Sequence, residues 1–235
     1  ADRWILSRCQ RTIETVTDSL NRFRLNDAAN SVYHFIWDEL ADWYVEQVKP
    51  RIYGTLPGGD VARGVLTHVF ETALKLLHPI TPFLTEELWS HLAGEREDLL
   101  AGARWPEVKT TLVSESAESS FVRVQAAISA IRTVRAEYRV APGKAVRTIL
   151  QPADDSAAAD FESERPTIER LAKVSDLEMG AEIGDQIGAH AVLPGGSSLF
   201  VPLGDAIDVD TEVTRLSGEL ERIEKQLGGV TAKLQ

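Results

Sequence analysis

The chain has 235 residues, 43% of them hydrophobic and 26% charged, enough for one large domain or two smaller ones with separate cores. A net charge of −11 argues against a generic nucleic-acid binder, so any RNA site has to rest on locally clustered cations. The single cysteine, Cys9, excludes an internal disulfide and suits a reducing cytoplasm, and no apolar run approaches the ~20 residues of a membrane span.

Residues 1 to about 110 read as helices. The opening Ala1-Asp2-Arg3-Trp4 is helical in character and lacks a signal-peptide core, and it is expected to be the start of a fragment. Ile5, Cys9, Ile13, Val16, Leu20 and Phe23 recur at spacings of four and three, the stripe of an amphipathic helix. Asn26 and Asp27 offer the next cap, and a second stripe (Ala29, Tyr33, Ile36, Leu40, Trp43) predicts a helix ending near Lys49-Pro50. Residues 54–60, with Pro57-Gly58-Gly59, predict a loop. A third stripe of Val61, Val65, Val69, Ala73 and Leu76 then runs into His78-Pro79-Ile80-Thr81-Pro82-Phe83-Leu84-Thr85-Glu86-Glu87-Leu88-Trp89. Pro79 stops that helix, Thr81 is placed as an N-cap, and Pro82 takes the first position of a fourth helix reaching about Ala93. Glu86 and Glu87 are expected near its positive end. Four helices with short joins predict a bundle.

Residues 94–118 change character: Gly94, Gly102, Trp105-Pro106 and the Ser/Glu-rich run over 114–120 predict an irregular linker. Phe121, Val124, Ile128, Ile131, Val134 and Tyr138 predict a long helix. Beyond Pro142-Gly143 come a strand over 146–150, a helix over 156–171 containing Pro166, and a strand over 176–180. Residues 190–193 and 198–201 bracket Pro194-Gly195-Gly196 as a hairpin, completing a small α/β unit. Last, Val209, Val213, Leu216, Leu220, Ile223, Leu227, Val230 and Leu234 form a heptad seam, the signature of a coiled coil, weakened at Gly228-Gly229. A lone seam is unstable, so a partner helix is expected beyond Gln235 or from another chain.

No catalytic constellation stands out. His34, His68, His78, His91 and His190 lack metal-ligand spacing, and there is no HExxH, CxxC or P-loop, so no catalytic, cofactor or metal residue is assigned. Cys9 lies on an apolar stripe and reads as core. The tryptophans (Trp4, Trp37, Trp43, Trp89, Trp105) also read as core, with base stacking as their other use. Arg3, Arg8 and Arg11 lie off the first apolar stripe, which Arg22 and Arg24 close. Arg132, Arg135 and Arg139 recur at three and four, with Lys144 and Arg147 just beyond. Such arrays can meet successive phosphates. The same spacing fits a solvated face neutralised by carboxylates such as Glu137.

Several stretches carry a resemblance. Asp2-Arg3-Trp4-Ile5-Leu6-Ser7-Arg8 resembles the start of the anticodon-binding bundle of class I aminoacyl-tRNA synthetases, and of the valyl-tRNA synthetase family above all. Trp37-Asp38-Glu39-Leu40-Ala41-Asp42-Trp43-Tyr44, followed by Lys49-Pro50, resembles its second helix. The run from His78 is closer to the valyl form than to the leucyl or isoleucyl forms. Ile131-Arg132-Thr133-Val134-Arg135-Ala136-Glu137, with Pro142 and Lys144, is similar to a stretch after the bundle. Val201-Pro202-Leu203-Gly204-Asp205-Ala206-Ile207-Asp208-Val209 resembles the lead-in to a C-terminal coiled-coil arm.

The resemblance implies a mainly α chain: a helical anticodon-binding bundle over 1–110, a small α/β connecting domain over 111–205, and the first helix of a truncated coiled-coil arm over 206–235. It implies a grip on the anticodon stem-loop of valine tRNA, so that a parent enzyme can attach valine using ATP and Mg²⁺. The family's HIGH and KMSKS signatures and its editing domain are absent from this sequence, so the fragment itself is expected to be inactive and to hold no cofactor. Its expected partners are valine tRNAs and the parent's catalytic and editing domains, with no membrane. Arg3, Arg8, Arg11, Arg132, Arg135 and Arg139 are the tRNA-contact candidates. Two rivals are the equivalent region of an isoleucyl or leucyl enzyme, and a protein-interaction module that dimerises through the seam.

Overall fold

The computed structural model describes residues 1–92, 98–184, 186–204, 213–214, 217–218 and 220–227. The chain divides into two compact units, Ala1–Phe121 and Val122–Gln235.

The first unit is a helical bundle. Helix α1 (Asp2–Asn21) buries Ile5, Cys9, Ile13 and Val16, the stripe its spacing predicts. Phe23 lies beyond the helix end and is 89% exposed. Helix α2 (Leu25–His34) runs without a break through a π-helical segment (Phe35–Val45) into α3 (Glu46–Ile52). Its buried face reads Ala28, Val32, Phe35, then steps by five to Leu40, and on to Tyr44 and Val48. The predicted stripe differs, because Tyr33 faces solvent. The wider i→i+5 winding absorbs one extra residue and moves the buried face, which a constant 3.6-residue period cannot follow. In α4 (Gly59–Leu77), Val69, Ala73 and Leu76 are buried, while Ala62 takes the inward place expected of Val61.

Helix α4 stops at Leu77 and α5 (Pro82–Leu92) starts at Pro82, as the two prolines dictate. The cap differs from expectation. The Thr81 backbone is committed to helical bonds, its N–H donating to Leu77 O at 3.0 Å and its carbonyl accepting from Thr85 N at 3.1 Å. Its hydroxyl is buried with no hydrogen-bond partner among the described residues. The Thr85 hydroxyl instead donates back to the Thr81 and Pro82 carbonyls (3.0 and 3.1 Å) and meets His78 Nδ1 at 2.7 Å. Glu86 caps a different element: it accepts the N–H groups of Leu100 and Ala101 at 2.8 and 2.9 Å, fixing the 3₁₀ turn Leu100–Gly102.

The segment expected to be an irregular linker is bound along α1. Trp105 Nε1–H donates to Thr17 Oγ1 at 2.9 Å, the Lys109 amide to Gln10 Oε1 at 2.7 Å, and the Ser114 amide to Ser7 Oγ at 2.9 Å. Residues 115–120 are already helix, the first turns of α6 (Glu115–Glu137). The Ala117 amide reaches Ser114 Oγ at 3.4 Å, and Glu115 and Glu118 sit at the positive end.

In the second unit, the remainder of α6 buries Val124, Ile128, Ile131 and Val134. There follow β1 (Val146–Gln151), α7 (Asp155–Ser163), α8 (Arg165–Ala172), β2 (Val174–Met179), β3 (Gly188–Val192) and β4 (Ser198–Pro202). The sheet order is β2-β1-β4-β3; β1 and β2 are parallel across the α7–α8 crossover, and β4 is antiparallel to both β1 and β3. The single helix predicted over 156–171 is two, because Pro166 starts α8 at the first-turn position where its missing N–H costs nothing. Ile149, Leu150, Phe161, Ile168 and Phe200 are fully buried. Of the heptad seam, Val213, Leu220, Ile223 and Leu227 lie on helical residues and are exposed. Val209, Leu216, Val230 and Leu234 lie outside the described residues.

Candidate nucleic-acid interface

The start of α1 is held by a polar network. Asp2 accepts both arms of the Arg51 guanidinium (2.7 and 2.9 Å) and the Tyr44 hydroxyl (3.0 Å), and Arg51 also donates to Gly58 O at 3.1 Å. Burial alone would raise the Asp2 pKa, but hydrogen bonds from Arg51 and Tyr44, with the Arg51 charge, outweigh it and hold the carboxyl below its ordinary value. Next to this anchor Trp4 is buried, its ring centroid 4.0 Å from that of Phe121. Cys9 is fully buried, and burial pushes its thiol up to about 12.

On this frame Arg3 is exposed and donates to Ser114 Oγ at 3.3 Å. Arg8 forks onto Glu39 (Nε to Oε2 2.9 Å, Nη2 to Oε1 2.8 Å), with Glu118 at 3.7 Å. Arg11 lies 3.5 Å from both Glu115 and Glu118. Glu118 also accepts from the Ser7 hydroxyl, so one carboxylate gathers three donors from α1.

The second set sits on α6 in the other unit. Arg132 is exposed and donates from Nε to Leu171 O at 3.0 Å. Arg139 is exposed, with φ +51 at the helix end. Arg135 differs from the phosphate-facing expectation. It is 9% exposed and donates to three carbonyls, those of Lys144 (2.6 Å), Ala141 (3.3 Å) and Lys173 (3.4 Å). The reason is its phase: Val124, Ile128, Ile131 and Arg135 lie four, three and four apart, so Arg135 continues the buried stripe of α6. Arg147, another cation of this region, is engaged by Glu178 at 2.5 Å.

Reading for arginine spacing alone misses the exposed aromatics. Phe23 occupies the turn between α1 and α2 with φ +57, a conformation unfavourable for a bulky residue. Its neighbours Arg22 and Arg24 are exposed and pair at the surface with Asp18 (2.9 Å) and Asp27 (3.8 Å). Tyr33 and Trp37 stack in parallel on the outer face of the next helix, centroids 6.3 Å apart, with Trp37 57% exposed. Phe83, at the start of α5, is 92% exposed. The available signal was the Arg-Phe-Arg triplet, an aromatic between two cations just past a helix end. A cleft of about 490 Å³ also opens in this unit between α1, α4 and residues 104–109.

The family model for the anticodon-binding domain of tRNA ligases matches residues 2–150. The chain belongs to that family. The match takes in α1 to β1, and with them all six candidate arginines and the Phe23 turn. The chain is also similar along its whole length to valine–tRNA ligases: 38% identical over 234 residues to that of Carboxydothermus hydrogenoformans, covering 26% of the relative. It is 38% identical over 237 residues to that of Clostridium acetobutylicum and 32% over 235 residues to that of Bacillus subtilis, covering 27% of each. The chain thus spans about a quarter of the length of these relatives. No helix among the described residues is long and apolar enough to cross a membrane. Nor, among them, do three or more His, Cys, Asp or Glu side chains group so as to hold a metal ion.

Proposed function

We propose that this domain grips the anticodon stem-loop of valine tRNA within a cytoplasmic valine–tRNA ligase. The observation that carries the reading is Phe23, 89% exposed in a strained turn between Arg22 and Arg24. A solvent-facing ring held beside two cations is suited to an unstacked base and its flanking phosphates, the mode by which single-stranded RNA is read. The exposed members of the arginine sets, Arg3, Arg132 and Arg139, with Arg11 beside them, supply phosphate contacts that position the RNA. Arg8 and Arg135 act as positioning residues, one joining α1 to the π-helical segment and the other holding the turn after α6. In this reading the bundle spans 1–110, a connecting α/β domain 111–205, and the first helix of an arm 206–235. The parent's catalytic and editing domains are its partners in the same chain. ATP and Mg²⁺ belong to that catalytic domain, and no step through them is assigned to residues here.

A filter-binding titration at low salt tests the proposal with valine tRNA, the same tRNA with an altered anticodon, and a Phe23→Ala variant. Valine tRNA should bind tighter than the altered form. The variant should lose about 1–3 kcal/mol, the worth of one base–aromatic stack. Equal binding of both tRNAs would remove anticodon recognition from this domain.

A further inference from the structure

The cleft between α1, α4 and residues 104–109 has a composition unlike the rest of this acidic chain. Lys75, Arg104 and Lys109 reach it, against two carboxylates, Glu71 and Glu107, so the cleft carries a positive excess on a chain whose net charge is −11. Arg104, Glu107 and Lys109 are exposed. Lys75 Nζ also lies 5.6 Å from the centre of the Trp89 ring. The walls of the cleft include buried Ile13 and half-buried Trp105 and Pro106, with Gln10 and Thr72 as buried polar groups.

Trp105 is fixed in place. Its Nε1–H donates to Thr17 and its chain is tied to α1 through the Lys109 amide on Gln10, so the ring offers a wall that loses little freedom on binding. His68 also lines the cleft; desolvation and the neighbouring Lys109 lower its pKa, which favours the neutral ring. A neutral imidazole both donates and accepts, as the edge of a nucleobase requires. The volume of about 490 Å³ falls in the range of roughly 300–1,000 Å³ typical of small-ligand sites.

We propose that this cleft is a nucleotide site, taking an aromatic base against Trp105 and Pro106 and its phosphate at Lys75, Arg104 and Lys109. The lining combines an aromatic and apolar wall (Ile13, Trp105, Pro106) with three cations (Lys75, Arg104, Lys109), the two chemistries that a base and a phosphate need together. A free mononucleotide and one nucleotide of a bound RNA share that chemistry. The inference stands apart from the Phe23 turn and does not need it.

The test follows the Trp105 indole N–H resonance of the full chain, identified by its loss in Trp105→Phe. Adenosine monophosphate, adenosine and inorganic phosphate are titrated separately at low salt. The monophosphate should shift the resonance saturably, with an affinity about fivefold or more above that of adenosine or phosphate. A double variant, Arg104→Ala with Lys109→Ala, should weaken it by about the same factor while keeping the wild-type melting temperature. A second arm adds a tRNA anticodon stem-loop: a stem-loop shift that excess monophosphate replaces with its own assigns the site to RNA, and a shift with the monophosphate alone assigns it to free nucleotide. No saturable shift in either arm, or equal shifts in wild type and double variant, overturns the proposal. The monophosphate arm reads the cleft even where tRNA binding fails, so the two readings fall separately.

Discussion

Asp2, Arg51 and Tyr44 explain why the start of α1 and the end of α3 are worded as they are. The Asp2 and Arg51 side chains are each only 22% exposed, and the pair is bidentate, so each charge depends on the other for solvation. Replacing Asp2 with Asn removes the ionic half of that pair and should cost about 2 kcal/mol at neutral pH. Because the folded Asp2 pKa lies below its ordinary value, this contribution is complete above the normal carboxylate range and disappears as pH falls through the depressed value. Urea unfolding at a series of pH values should therefore show wild type and Asp2→Asn converging in acid; a gap independent of pH would assign the cost to packing. Arg135 and Arg132 make the opposite pair of cases on one helix. Arg135→Ala removes a buried donor from the Lys144 and Ala141 carbonyls and should lower the melting temperature while leaving the salt dependence of RNA binding unchanged. Arg132→Ala with Arg139→Ala should do the reverse, reducing the salt slope by about 0.7 for each phosphate that is no longer neutralised. A lower slope for Arg135→Ala would return that residue to the RNA.

At the scale of elements, the join from α5 to the turn at Leu100–Gly102 turns on one carboxylate. Glu86 accepts two consecutive amides, and beneath them Leu74, Trp89 and Leu100 form a small buried cluster. The Ala101 amide does most to lower the Glu86 pKa, ahead of an opposing desolvation and a further contribution from Leu100. The cap is thus fully formed above the normal carboxylate range and is lost as pH falls through the lowered value. Glu86→Gln should speed hydrogen exchange at Leu100 and Ala101 selectively at neutral pH; unchanged exchange would show that the apolar cluster alone holds the turn. The same elements show what could be read in advance. The stripes of α1 and α4, the two prolines around residues 79–82, and the hairpin at Pro194-Gly195-Gly196 were legible because each depends on local backbone rules. The helix from Leu25 to Ile52 was legible as helix but not in phase, since nothing in Phe35–Val45 announces π winding. The linker was legible as irregular chain but not as a segment bound along α1. A search for apolar periodicity passes over Ser7, Gln10 and Thr17, yet Ser7 and Gln10 are buried on α1 and all three bind residues 105–114. The arginines were visible as a pattern, and the place of Arg135 on the buried stripe of α6 was in its spacing, whereas the engagement of Arg8 by Glu39, distant in sequence, was not.

For the whole molecule the controlling quantity is a net charge of −11, which repels polyanions at long range. Recognition of RNA then rests on short-range contacts made where cations and rings coincide, and screening by salt weakens the repulsion as well as the attraction. The other whole-molecule feature is the C-terminal seam. Val213, Leu220, Ile223 and Leu227 are between 52% and 66% exposed, an apolar row on helix with a heptad phase. Such a row lowers its free energy by pairing with a complementary helix, and in a solution of this chain a second copy offers one. Sedimentation velocity should show association that grows with concentration, and Leu220→Lys with Leu227→Glu should restore a single monomeric species. Because these side chains already face solvent, the double variant should unfold at the wild-type urea concentration when both are compared at a concentration where the wild type is monomeric, which separates a failure to pair from a failure to fold. A wild-type chain that stays monomeric at every concentration would mean that the seam is written for a helix other than its own copy.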